Sequence, residues 1–289
     1  MDKRILDLYD EYTHAPLARR DFLERLATLA GGMGSALALL PLLQANKAAA
    51  AQVAADDQRL KTERVSFAGP DGELRGYLAR PTGAKALPGV IVIHENRGLN
   101  PHIEDVARRA ALAGSGFVAL APDFLSGVGG TPENEDQARE QIGKLDPDWT
   151  LKAAVAAADW LRTGERSTGR VGAVGFCWGG GLVGRLATAD PKLNAGVVFY
   201  GRVPPIDDVP KIKAHLLLHY AGKDERINAD VPGFQKALDE ASVQYTLHMY
   251  EGVEHAFHND TSAARYNLEA AQLAWKRTVE FFDRTLKLA

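Results

Sequence analysis

The sequence predicts an α/β protein built on a mostly parallel central sheet with helices on both faces. Three observations carry this expectation. Short, nearly uninterrupted apolar runs recur at Val90–Ile93, Phe117–Leu120, Val171–Phe176, Ala195–Tyr200 and Ala214–Tyr220, and strands buried on both faces read this way. Helix-length stretches separate most of these runs, as crossover connections between parallel strands require. Polar residues able to do chemistry cluster just after the runs, where open α/β sheets bind their ligands.

The first 58 residues read as an export-signal-like segment and linker, set apart from a domain over 59–289. Arg19 and Arg20 precede an uncharged run from Leu26 to Asn46, followed by Ala48–Ala51. This resembles a twin-arginine export signal with small residues for cleavage near Ala50 or Ala51. The start is acidic (Asp2, Asp7, Asp10, Glu11) where signals usually begin basic, and the other reading is an amphipathic helix packed on the domain or on a partner subunit. Glycines and Pro41 dilute the apolar run, so no stable membrane span is expected. The expected location is periplasmic if the signal is real and cytoplasmic if it is not.

Within the domain, Arg64–Ala68 and Leu74–Arg80 flank Gly69-Pro70-Asp71-Gly72 and predict a β-hairpin. The strand at Val90–Ile93 is followed by a helix over Ile103–Ala113, then by the strand Phe117–Leu120. A glycine-rich stretch at 124–132 leads to helices over 133–143 and 149–162. After the strand ending at Phe176, a helix covers 180–189. The strands 195–200 and 214–220, a helix over Asp230–Glu240, a last strand Tyr245–Tyr250 and a closing helix Ala263–Leu286 complete the pattern. Trp275, Val279 and Phe282 mark the inner face of that helix.

The densest chemistry lies at Gly175-Phe176-Cys177-Trp178-Gly179-Gly180. This is Gly-x-Cys-x-Gly at a strand-to-helix turn, a cysteine version of the nucleophile elbow, with glycines where side chains would clash. The turn lifts Cys177 off the sheet end and frees the Trp178 N–H to bind an oxyanion. A buried core cysteine is the bland alternative. A dinucleotide-dependent oxidoreductase is a rival favoured only by the glycines near 179, and the spacing at 172, 175, 179, 180 and 181 fails Gly-x-Gly-x-x-Gly. Asp224 follows the strand 214–220 and His255 follows the strand 245–250, so nucleophile, acid and histidine come in α/β-hydrolase order. Glu95, after the strand 90–93, supplies a carboxylate that can take a thiol proton, and the Asn96 N–H is the second oxyanion donor. A metal reading of His94, Glu95 and His102 fails for lack of His-Glu-x-x-His.

Composition narrows the classes further. At 289 residues, 46% hydrophobic and 25% charged, the chain holds enough material for one large core. A net charge of −3 with interspersed signs gives no reason to expect nucleic acid as partner. The single cysteine allows no internal disulfide. Oligomeric state is left open, a homodimer included.

These residues resemble the dienelactone hydrolase (carboxymethylenebutenolidase) family over roughly residues 60–285: the elbow at 175–180, Glu95, Asp224, and Glu254-His255-Ala256-Phe257. The resemblance implies a cofactor-free, metal-free hydrolase of the α/β-hydrolase fold. It also implies a resting neutral Cys177 thiol associated with Glu95, and an acyl-cysteine intermediate resolved by water with help from His255. The family's substrate-carboxylate arginine lies four positions after the histidine, where this chain has Asn259. Arg97, beside Glu95, is the expected substitute, with His258 as a further substrate-binding residue. The expected substrate is therefore a small ester or lactone. A thioesterase or peptidase with the same triad, and a non-catalytic binding protein, are the alternatives.

Overall fold

The computed structural model describes residues 1–14, 17–43, 51–165 and 167–287. Its elements run α1 (Lys3–His14), α2 (Arg19–Ala30), α3 (Met33–Leu43), β1 (Leu60–Gly69), β2 (Gly72–Pro81), β3 (Leu87–Ile93), α4 (Pro101–Leu112) and β4 (Val118–Asp123). They continue through α5 (Glu135–Gly143), α6 (Pro147–Thr163), β5 (Ser167–Phe176), α7 (Trp178–Ala189), β6 (Ala195–Phe199), β7 (His215–Ala221), α8 (Glu225–Asn228), α9 (Val231–Glu240), β8 (Tyr245–Tyr250) and α10 (Leu268–Leu286).

One sheet of eight strands is ordered β1-β2-β4-β3-β5-β6-β7-β8. β1 and β2 form the expected hairpin, and β2 pairs antiparallel with β4. From β4 through β8 every neighbour is parallel. The central strands are buried on both faces because their side chains alternate into two cores. Val90 and Val92 of β3 meet Ile103 and Val106 of α4 and Phe282 of α10 in one core. Ile91 and Ile93 face the other, with Ala154 and Leu161 of α6 and Leu186 of α7. Burying each such aliphatic or aromatic side chain stabilises the fold by roughly 1.5–3 kcal/mol before entropy is counted.

Two of the departures from expectation have clear local reasons. α10 begins at Leu268 rather than at 263, because the Asn267 side chain accepts a hydrogen bond from the Ala270 N–H and caps the helix there. The short helix α8 was not foreseen; the Asp224 carboxylate accepts from the Ile227 N–H and starts it.

The N-terminal segment folds into three helices around Tyr9, Tyr12, Phe22, Leu26, Leu40 and Leu43. The Tyr12 and Phe22 rings stack with centroids 4.2 Å apart. Arg19 pairs with Asp136 of α5 and Arg20 with Glu24. Of the expected cleavage region, Ala48–Ala50 lie outside the described residues. Just beyond, the N–H groups of Gln52 and Val53 donate to the buried Asp105 carboxylate at 3.0 and 2.9 Å. Among the described residues no single helix is long and apolar enough to cross a membrane; α2 and α3 reach that length only together, bent by 109°.

Candidate active site

The turn from β5 to α7 holds Cys177 at φ 54°, ψ −111°, a backbone region that L-residues seldom occupy. Two glycines make this conformation attainable. A Cβ on Gly175 would lie 2.2 Å from the Gly179 carbonyl oxygen, and one on Gly179 would lie 2.5 Å from the carbonyl oxygens of Ile93 and His94. The Cys177 N–H donates to the Phe199 carbonyl at 3.0 Å, tying the elbow to β6. Trp178 is the first residue of α7. Its N–H belongs to the open end of the helix, where donors lack intrahelical partners and the dipole favours negative charge.

Asp224 and His255 meet as the spacing predicts. Asp224 Oδ2 lies 2.5 Å from His255 Nδ1, with side chains only 2% and 5% exposed. The pairing sets the ring so that Nδ1 faces the carboxylate. Ala256, next to the histidine, also has a left-handed backbone at φ 64°.

Glu95 is buried and receives two donors. The Asn259 side-chain amide donates to Oε2 at 2.6 Å, and the Tyr200 hydroxyl reaches Oε1 at 3.5 Å. Asn259, at the position where the resemblance expects an arginine, thus holds the glutamate itself. Tyr200 is a site residue the sequence reading missed, although its place directly after β6 was the available signal. Its backbone is left-handed at φ 39°, and its ring centroid lies 5.0 Å from that of His255. Burial first, then the nearby Glu95 and Cys177, push its phenol well above the ordinary range, so it stays a donor.

Cys177, Trp178, Tyr200, His255 and Asn96 open onto a cavity of about 1510 Å3. The cavity therefore joins the ends of β3, β5 and β6 and the loop after β8. Behind it, His94 stacks on Trp178 with centroids 5.3 Å apart, and its Nδ1 lies 2.6 Å from the Glu95 carbonyl oxygen. Burial pushes the His94 imidazole below its usual range. It packs the floor of the site as a neutral ring.

The two expected substrate-binding side chains are placed elsewhere. Arg97 pairs with Glu135 and donates to the Tyr9 hydroxyl at 2.6 Å. Only a tenth of its side chain is exposed, and it does not line the cavity. A buried guanidinium needs anionic and polar partners, and these come from α5 and α1. His258 is buried between Phe176 and Phe199, with ring centroids at 4.9 and 5.0 Å. Burial, reinforced by His102 and Arg109, pushes its imidazole down to about 3, which suits a core ring rather than a substrate ligand. Among the described residues no three His, Cys, Asp or Glu side chains are placed to hold a metal ion; His102 pairs instead with Asp260 at 3.1 Å.

A mixed sheet of this order, a strained strand-to-helix elbow and an acid–histidine pair at neighbouring strand ends define an α/β-hydrolase fold. The chain belongs to the dienelactone hydrolase family, whose model matches residues 74–286, and is a hydrolase of the kind that acts on ester or lactone bonds. A second model, YqhI-like, matches residues 1–31. The chain is 33% identical over 285 residues to a Methylorubrum extorquens protein provisionally named carboxymethylenebutenolidase, covering 92% of this chain and 94% of that one. It is 35% identical over 231 residues to a Bradyrhizobium protein provisionally named 2-oxo-3-(5-oxofuran-2-ylidene)propanoate lactonase, covering 73% and 90%. Among solved structures, a provisionally named dienelactone hydrolase from Klebsiella pneumoniae superposes with a TM-score of 0.71 at 26% identity, covering 78% of this chain and 99% of that one.

Proposed function

We propose that the protein hydrolyses small esters or lactones through an acyl-cysteine intermediate at Cys177. The observation that carries this reading is that Cys177, on a left-handed elbow, and His255, held by Asp224, line one cavity. Glu95 accepts the thiol proton, and the thiolate sulfur attacks the carbonyl carbon. The backbone N–H groups of Trp178 and Asn96 stabilise the tetrahedral oxyanion. The bond from carbon to the leaving oxygen then breaks, leaving a thioester, and the alkoxide takes the proton that Glu95 accepted from the thiol. In a lactone the leaving oxygen stays tethered to the acyl chain. Water attacks the thioester while His255 Nε2 takes its proton and Asp224 stabilises the imidazolium; the C–S bond then breaks, releasing the acid and the Cys177 thiolate, which recovers its proton from the imidazolium. The buried, doubly bonded Glu95 favours a substrate whose arrival loosens those bonds and turns the carboxylate toward sulfur.

The test is direct. Cys177→Ala should abolish turnover of an activated aryl ester while the thermal midpoint stays nearly constant; survival of activity would show that the sulfur is not the attacking atom. Cys177→Ser should retain little, because a hydroxyl is far less acidic than the thiol for which a carboxylate base suffices. Intact mass after exposure to a mixed ester library should reveal an acyl adduct and name the preferred acid.

A further inference from the structure

We infer that helix α1 is a working part of this site, closing one side of the cavity and holding the surrounding loops in place. The inference rests on the reaction proposed for Cys177. Three connections support it. The Asn96 side-chain amide donates to the Thr13 carbonyl at 2.5 Å, while Arg97 donates to the Tyr9 hydroxyl at 2.6 Å. The two residues that follow Glu95, one of them carrying the proposed oxyanion N–H, are therefore anchored on α1. Asp10 lies 3.6 Å from Arg226, two residues past Asp224, and 3.9 Å from the buried Arg265 on the loop that carries His255. Arg265 also sits over the Tyr9 ring at 5.1 Å. At the end of α1, Tyr12 donates to Asp136 at 2.5 Å and its carbonyl accepts from Arg139, so α5 is bound as well.

α1 thus meets the loops after β3, β7 and β8, which bear Glu95, Asp224 and His255. Thr13 of α1, and Leu17 and Ala18 beyond it, line the cavity together with Cys177 and His255. Tyr9 and Tyr12 are 1% and 2% exposed, so the helix is seated rather than loosely appended. Through Asn96, Arg97, Arg226 and Arg265, α1 restrains the loops that carry Glu95, Asp224 and His255. Tyr9 acts through Arg97 and is a positioning residue; Leu17 faces the cavity and limits acyl size.

Two substitutions in the full-length chain separate these roles. For each, kcat and KM are measured on acetyl and hexanoyl aryl esters. The rate of Cys177 alkylation by iodoacetamide is compared with that by the bulkier N-benzyl iodoacetamide, read by intact mass. Tyr9→Phe keeps the ring and removes the hydroxyl. It should lower kcat by about tenfold with KM nearly constant, as small displacements near a reacting centre do, and leave the alkylation ratio alone. Leu17→Ala should raise the relative rate of the larger reagent, and kcat/KM on hexanoyl over acetyl ester, by roughly tenfold, the scale of a few methylenes in a pocket. Folded variants whose kinetics and alkylation ratios both stay within about twofold of the parent, where pocket contacts predict more, would overturn the inference. Were the full chain to hydrolyse no ester, the proposed reaction would fall, while the alkylation ratio of Leu17→Ala would still decide whether α1 closes the cavity.

Discussion

Cys177, Tyr200 and Ala256 share a feature invisible to composition: each carries a left-handed backbone, and all three lie at or beside the proposed machinery. Such strain is tolerated only where the surroundings over-determine it. A prediction at this scale concerns Asn259, whose amide bonds the buried Glu95 and whose oxygen accepts from Thr261. Asn259→Ala should destabilise the fold by about 1–3 kcal/mol, the usual consequence of leaving buried polar groups unpaired, measured by urea unfolding, and should lower turnover. The positions of Cys177, Asp224, His255 and Glu95 could be read directly from the chain because each follows its own strand. Arg97 and His258 could not be read so well. Their partners, Tyr9 and Phe176, lie 88 residues away for Arg97 and on β5, far from the loop after β8, for His258, and nothing local announces such pairings.

At the scale of elements, apolar run length identified the buried strands well, and alternation within β3 sends Val90 and Val92 to one core and Ile91 and Ile93 to the other. Helix starts were less legible, because a capping side chain rather than apolar periodicity decides where a helix begins. Asn267 makes the point for α10. Asn267→Ala should cost about 1 kcal/mol, typical of a lost N-cap, detectable as a lowered thermal midpoint with activity intact. The N-terminal helices were the hardest to read, since a signal-like run and a packed amphipathic hairpin use the same leucines and alanines. Their burial depends on contacts with α5 and the distant site loops, which no window of sequence contains.

For the molecule as a whole, three buried histidines set its behaviour in acid. His94, His219 and His258 are all pushed below the ordinary imidazole range, burial being the largest cause, and His258 reaches about 3. Above pH ~6.5 folded and unfolded chains both hold these rings neutral, so nothing is lost. Below it the unfolded chain binds protons that the folded one refuses, and stability declines as pH falls toward the folded values. The urea midpoint should therefore drop steadily between about pH 6.5 and 4. His258→Phe, a near-isosteric aromatic in the same stack, should flatten that slope in part while changing stability near pH 7 by less than about 1.5 kcal/mol.

The parallel register of β3 through β8 places all the candidate groups along one rim of the sheet. The other rim carries none of these candidate groups. There the turn at 82–86, entering β3 from β2, is largely exposed, and Gly83 has open space around it. That turn is accordingly the place to splice in a reporter peptide or to open the chain for circular permutation.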